Sequence, residues 1–97
     1  MFPNGAKRST IPVRCDLIPA NALMAVAEAM AEGAVRYGDH NWKGLPPEEI
    51  LNHAMRHLYL HMAGDRKEPH LRNAAANVLM LLSMECTSND RPRADRA

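Results

Sequence analysis

The segment from Ala74 to Met84 reads Ala-Ala-Ala-Asn-Val-Leu-Met-Leu-Leu-Ser-Met, with only Asn77 and Ser83 polar. Wound into a helix, this run points apolar side chains in every direction around the axis, which is the pattern of a helix buried on all sides. The chain has 97 residues, and a domain of that size buries only about 60–65% of the surface its unfolded chain exposes. Two further helices in one chain can hardly cover such an element. The expectation is an all-α helical bundle completed by oligomerisation, a homo-oligomer that is a dimer or a tetramer. The plainer alternative is that the terminal arms wrap the helix.

Two more helices are predicted. Leu23, Val26, Ala27, Met30 and Ala34 recur at helical spacing across residues 19–37, with Pro19 acceptable in the first turn. Gly38, Gly44 and Pro46 then interrupt the pattern. A second helix over 47–63 has Glu48 and Glu49 near its positive end and Gly64 as its stop. Its apolar face is read as Leu51, Ala54, Leu58 and Met62. A short link, 65–68, leads to the third helix over 69–85. Residues 1–15 read as an extended arm in which Ile11-Pro12-Val13 can still pack, 16–86 as one all-α domain, and 87–97 as a flexible tail. No strand and no internal repeat is expected.

A net charge of +1 with histidines neutral gives no broad electrostatic capture of nucleic acid or of an anionic membrane. Cys15 and Cys86 lack the spacing of a zinc site or a disulfide scaffold and read as free thiols. Met1-Phe-Pro-Asn-Gly-Ala-Lys-Arg contains no leader-like apolar core, and no apolar run is long enough to span a bilayer. A soluble, cytoplasmic protein is expected.

Glu28 and Glu32 stand one helical turn apart, roughly opposite the apolar stripe of the first helix. Two carboxylates so placed can hold a hard divalent cation. Equally, Glu32 precedes Arg36 by four, the favourable order for a surface ion pair. His53, His57 and His61 recur every four residues, but without a matching cysteine or an HExxH arrangement the repeat does not point to zinc. The preferred reading has His57 hydrogen-bonding inside the bundle or contacting a phosphate. His70, Asn73 and Asn77 form a polar line on the third helix. Asn77 inside the apolar run either sets helix register or faces a ligand pocket. The link 36–44 gathers Arg36, Tyr37, Asn41, Trp42 and Lys43, and such groups stack on a base, read its edges or neutralise phosphate. A tryptophan that merely anchors the loop is the competing reading.

The ordered string Arg14-x-Asp16-Leu17-Ile18-Pro19, Ala22-Leu23, Gly33-Ala34-x-Arg36-Tyr37-Gly38-x-x-Asn41-Trp42-x-x-Gly44, then Arg56-His57-Leu58, Gly64, His70-Leu71 and Asn77 resembles phage-type dATP/dGTP diphosphohydrolases. These are small MazG-like pyrophosphohydrolases of the MazZ type, and the resemblance spans residues 14–82. It implies an all-α, oligomeric enzyme that splits a purine deoxynucleoside triphosphate into dNMP and pyrophosphate. In a phage that replaces adenine by 2-aminoadenine, it would act in the host cell cytoplasm, supplying dGMP and removing dATP. MazG-related enzymes carry ExxE on one helix and ExxD on a later one, whereas Asn73 and Asn77 stand on the third helix here.

The resulting expectation is a Mg²⁺- or Mn²⁺-dependent hydrolase with Glu28 and Glu32 as catalytic and metal-binding residues. Asp65 joins them as a metal ligand, with Glu49 and Glu68 in reserve. Arg36, Tyr37, Asn41, Trp42, Lys43, Arg56, His57 and Asn77 are expected to bind substrate. Two rivals differ in class. One is a non-catalytic helical adaptor that dimerises through the third helix. The other is a nucleic-acid binder using Arg66, Lys67, Arg72, Arg91, Arg93 and Arg96, whose charges are interleaved with Glu68, Asp90 and Asp95.

Overall fold

The computed structural model describes residues 3–87. A short 3-10 turn, Cys15–Leu17, precedes helix α1 (Ala20–Tyr37); a second, Asn41–Gly44, joins α1 to α2 (Pro47–Met62), and α3 (His70–Cys86) follows. No strand occurs among the described residues, so the fold is all-α. The tail beyond Thr87, with Arg91, Arg93 and Arg96, lies outside the described residues. Residues 3–14 form neither helix nor strand, and Ile11 and Val13 remain exposed rather than packed. Cys15 and Cys86 are free and exposed.

Proline sets every helix start: Pro19, Pro46 and Pro69 are the N-caps of α1, α2 and α3, and Pro47 is the first residue of α2. Glycine sets two of the stops. Gly38, at φ 95°, donates its N–H to the Ala34 carbonyl. At the end of α2 the Gly64 N–H bonds the His61 carbonyl and the Asp65 N–H bonds the Leu60 carbonyl, at 3.0 Å each, with Gly64 at φ 89°. This paired Schellman closure satisfies two orphan carbonyls. The Arg66 guanidinium adds a bond to the His61 carbonyl, a cation on the negative end of the helix. Across Pro69 (φ −77°, ψ 74°) the His70 N–H bonds the Glu68 carbonyl at 2.8 Å, an inverse γ-turn that swings the chain into α3.

Helix α3 lies along α2 and, over less surface, along α1, while the turn Asn41–Gly44 touches α3. The apolar core is Ile50 and Ala54 on α2 with Ala74 and Ala76 on α3. Two face assignments need correcting. On α2, Leu51, Leu58 and Met62 are exposed, and the inward row is Ile50, Ala54, His57 and His61. On α1, Leu23 and Ala27 are exposed, and the partly covered row is Ala25, Val26, Ala29, Met30, Gly33 and Ala34. The α1 row is rich in small residues, Ala25, Ala29, Gly33 and Ala34, which let its backbone approach closely. Within one chain α3 is not buried on all sides: Leu71, Val78, Leu79 and Leu82 are each about half exposed, at 45–53%.

Candidate functional site

Where α2 meets the start of α3, two imidazoles face each other. His57 is half-buried and His70, the first residue of α3, is buried. Their Nδ1 atoms are 2.9 Å apart and the ring centroids 5.2 Å apart, with planes tilted by 39°. One Nδ1 must donate and the other accept, so the two rings hold opposite tautomers. The far nitrogen of His70, Nε2, lies 3.3 Å from Asp65 Oδ1. That is ion-pair reach but not hydrogen-bond alignment, and Nε2 is left without a hydrogen-bond partner. The Asp65 carboxyl is held below its ordinary range chiefly by the Lys67 N–H, which donates to Oδ1 at 2.8 Å, and also by His70. An ionised Asp65 only accepts, so the proton on His70 is assigned to Nε2 and its Nδ1 accepts from His57. Burial lowers the His57 pKa; the charge of Glu68 opposes that shift, and His70, Arg56 and His53 add to it. Glu68 completes the cluster: one ligand atom each from His57, Glu68 and His70 lie within 4.8 Å of one another. Two imidazoles and a carboxylate at that spacing can hold a metal ion.

A second cluster joins α1 to α3. The Arg72 guanidinium forks onto Glu32, Nη2 to Oε1 at 2.7 Å and Nη1 to Oε2 at 3.0 Å, and lies 3.7 Å from Glu28 Oε1. It also donates to Asn73 Oδ1 through Nε and Nη2. The hydrogen bonds from Arg72 hold the Glu32 carboxyl below its ordinary range, with a weaker contribution from the charge of Arg36. The strong partner of Glu32 is therefore Arg72, not the Arg36 that its sequence spacing suggested. Glu28 and Glu32 do share a face, and that face is the α1–α3 junction.

The remaining candidates spread out. Trp42 is half-buried and, with Ser83, Met84 and Thr87, lines a depression of about 290 Å³ at the far end of α3; Lys43 Nζ sits 5.8 Å from its ring centroid. Arg72 and Met84 are twelve positions apart on one helix, about 18 Å along its axis, so a single chain does not bring Trp42 and Lys43 onto the Glu28–Glu32 face. Arg36, Tyr37, Asn41 and Arg56 are exposed. Asn77 donates Nδ2–H to the Asn73 carbonyl at 2.8 Å, a bond within its own helix. Asp65 stands behind His70 rather than with Glu28 and Glu32. Reasoning from sequence reached His57 as an internal hydrogen bonder but not its partner. It also placed Arg72 only among possible nucleic-acid contacts. Helical spacing compares residues on one helix, and both pairings cross between helices.

The family model described as dATP/dGTP diphosphohydrolase, N-terminal, matches residues 3–94. No curated protein matches the chain, and no solved structure does.

Proposed function

This chain belongs to the dATP/dGTP diphosphohydrolase N-terminal family, and on that premise we propose that it hydrolyses purine deoxynucleoside triphosphates, dGTP or dATP, to dNMP and pyrophosphate with a divalent cation. The observation that carries this reading is the family match across residues 3–94. In a phage that uses 2-aminoadenine, the reaction would deplete dATP and supply dGMP.

On this reading Glu28 and Glu32 hold Mg²⁺ or Mn²⁺, since carboxylate oxygens one turn apart are the hard donors these ions take. The fit is uneven. Both Glu32 oxygens are engaged by Arg72, while Glu28 has only a 3.7 Å contact to the same guanidinium. Glu28 is thus the freer ligand, and Glu32 is shared with Arg72. An ion there neutralises triphosphate charge and makes a bound water more acidic. Arg72 at this junction, and Arg36 one turn beyond Glu32, would take phosphate oxygens. Tyr37 and Asn41 would meet base or sugar, and Trp42 and Lys43 would do so from a neighbouring copy, since their own chain holds those two at the far end of α3.

The copy that supplies them would dock on the groove between α2 and α3. Leu58, Leu71, Ala74, Val78, Leu79 and Leu82 line it, with a volume of about 340 Å³. A homodimer or homotetramer seated there would bury the half of each large side chain that one chain leaves exposed, roughly 1 kcal/mol apiece.

A panel of dNTPs with Mg²⁺ or Mn²⁺, reading pyrophosphate against orthophosphate, tests the reading. Pyrophosphate from dGTP or dATP is the expected product. Orthophosphate alone would contradict α–β cleavage. No turnover with any dNTP, together with no heat of binding for dGTP and Mn²⁺, would favour the non-catalytic oligomeric adaptor.

A further inference from the structure

We propose that His57, Glu68 and His70 form a binding site for a borderline transition-metal ion of the Zn²⁺ class, which clips α2 to the start of α3. This site is separate from the Glu28–Glu32 pair, and the inference does not depend on the hydrolase reading. The donor set differs from what Mg²⁺ takes: two imidazole nitrogens and one carboxylate are the ligands of open, three-ligand zinc sites, whereas Mg²⁺ takes oxygens.

The spacing is within reach of a site. Nitrogens bound at about 2.0–2.1 Å to one ion stand about 2.9–3.4 Å apart for angles between square and tetrahedral, and here they are 2.9 Å apart. The centroids, 5.2 Å apart, show the two rings meeting head-on in a hydrogen bond, so ion binding requires both rings to turn until their lone pairs converge, with the proton on His57 Nδ1 moving to its Nε2 by way of solvent. The buried Nε2 of His70 has no hydrogen-bond partner and sits 3.3 Å from Asp65 Oδ1. A carboxylate behind the far nitrogen of a ligating histidine is the arrangement that fixes its tautomer and raises its basicity.

The link that carries Glu68 is also held by local backbone structure. The Gly64 closure of α2 and the Lys67 N–H fix Asp65, and the turn across Pro69 sets Glu68 beside His70. A bound ion would therefore join the last turns of α2, the link and the first turn of α3 into one unit.

The test is Co²⁺ titration of the tag-free full chain, reading visible d–d absorption, with Zn²⁺ as competitor. One Co²⁺ per chain is expected, displaced by Zn²⁺ and not by Mg²⁺. His57→Gln and Glu68→Gln, neither of which removes the buried imidazole of His70, should each weaken binding at least tenfold. Asp65→Asn should weaken it roughly 10–100-fold, and the double change His53→Gln with His61→Gln should leave it intact. Absence of Co²⁺ binding to the wild-type chain, or binding unchanged in both His57→Gln and Glu68→Gln, would overturn the proposal. Either result is independent of pyrophosphate release in the dNTP panel.

Discussion

The Nδ1 atoms of His57 and His70 lie 2.9 Å apart although thirteen positions separate the residues along the chain. This contact makes the α2–α3 junction a hydrogen bond between two imidazoles, one donating and the other accepting.

Stability should consequently depend on pH through His57. Its folded pKa is lowered below 6.5, mainly by burial, so between the two values the unfolded chain binds more protons and stability rises with pH. Melting temperature is expected to be flat above neutrality and to fall as pH drops below about 6.5. Metal-free His57→Asn should lose most of that slope in melts from pH 5 to 8. An unchanged slope would remove His57 as its source.

The fork of Arg72 on Glu32 acts at lower pH. The Glu32 pKa is lowered from 4.5 by Arg72, so its contribution is present above that value and lost as pH falls through the folded value. The pair is exposed on the Glu32 side, 53%, so the effect is small and weakened by salt. A double-mutant cycle with Glu32→Gln and Arg72→Gln should give a favourable coupling that shrinks between low and high salt. Coupling indifferent to salt would count against an ionic origin.

Gly64→Ala should destabilise the chain by about 1–2 kcal/mol. The position is at φ 89°, and a Cβ there meets nothing within 4 Å, so the cost is conformational and not a clash. Urea unfolding measures it, and a neutral result would mean that the Gly64 closure relaxes without penalty.

For the proposed hydrolase, Glu28→Gln and Glu32→Gln should each reduce metal-dependent pyrophosphate release by roughly 10²-fold or more, with oligomeric size unchanged. Full activity in both would remove α1 from the metal site.

Leu79→Glu places a charge in the apolar groove of α3, where Leu79 is 45% exposed in one chain. Sedimentation should show the wild-type chain as a dimer or tetramer and the variant as a monomer with a lower melting temperature. A wild-type monomer would sink the shared-bundle proposal.

Much of the fold was legible along the sequence. The three helices, their starts at Pro19, Pro47 and Pro69 to within one residue, and the stop at Gly64 all follow from local chemistry: proline cannot continue a preceding helix, and glycine alone adopts positive φ without strain. The candidate sites were only half legible. Glu28 with Glu32 could be read from their spacing, and His57 as an internal hydrogen bonder from its place beside an apolar row. Arg72 opposite Glu32, forty positions away, carries no sequence signal of that kind.

The amino-acid order by itself thus determined that the chain is helical, where each helix begins and ends, and that α3 carries more apolar surface than two neighbours can cover. These are properties of a few adjacent residues. Only the tertiary structure decided which row of α2 turns inward. Ile50 and Ala54 turn into the core, and that rotation brings His57 onto His70 and leaves Leu58 in the open groove. The physical reason is that contacts between helices depend on rotation about each axis and on how closely two backbones approach. The packing of both partners fixes those quantities, and the periodicity of neither helix contains them.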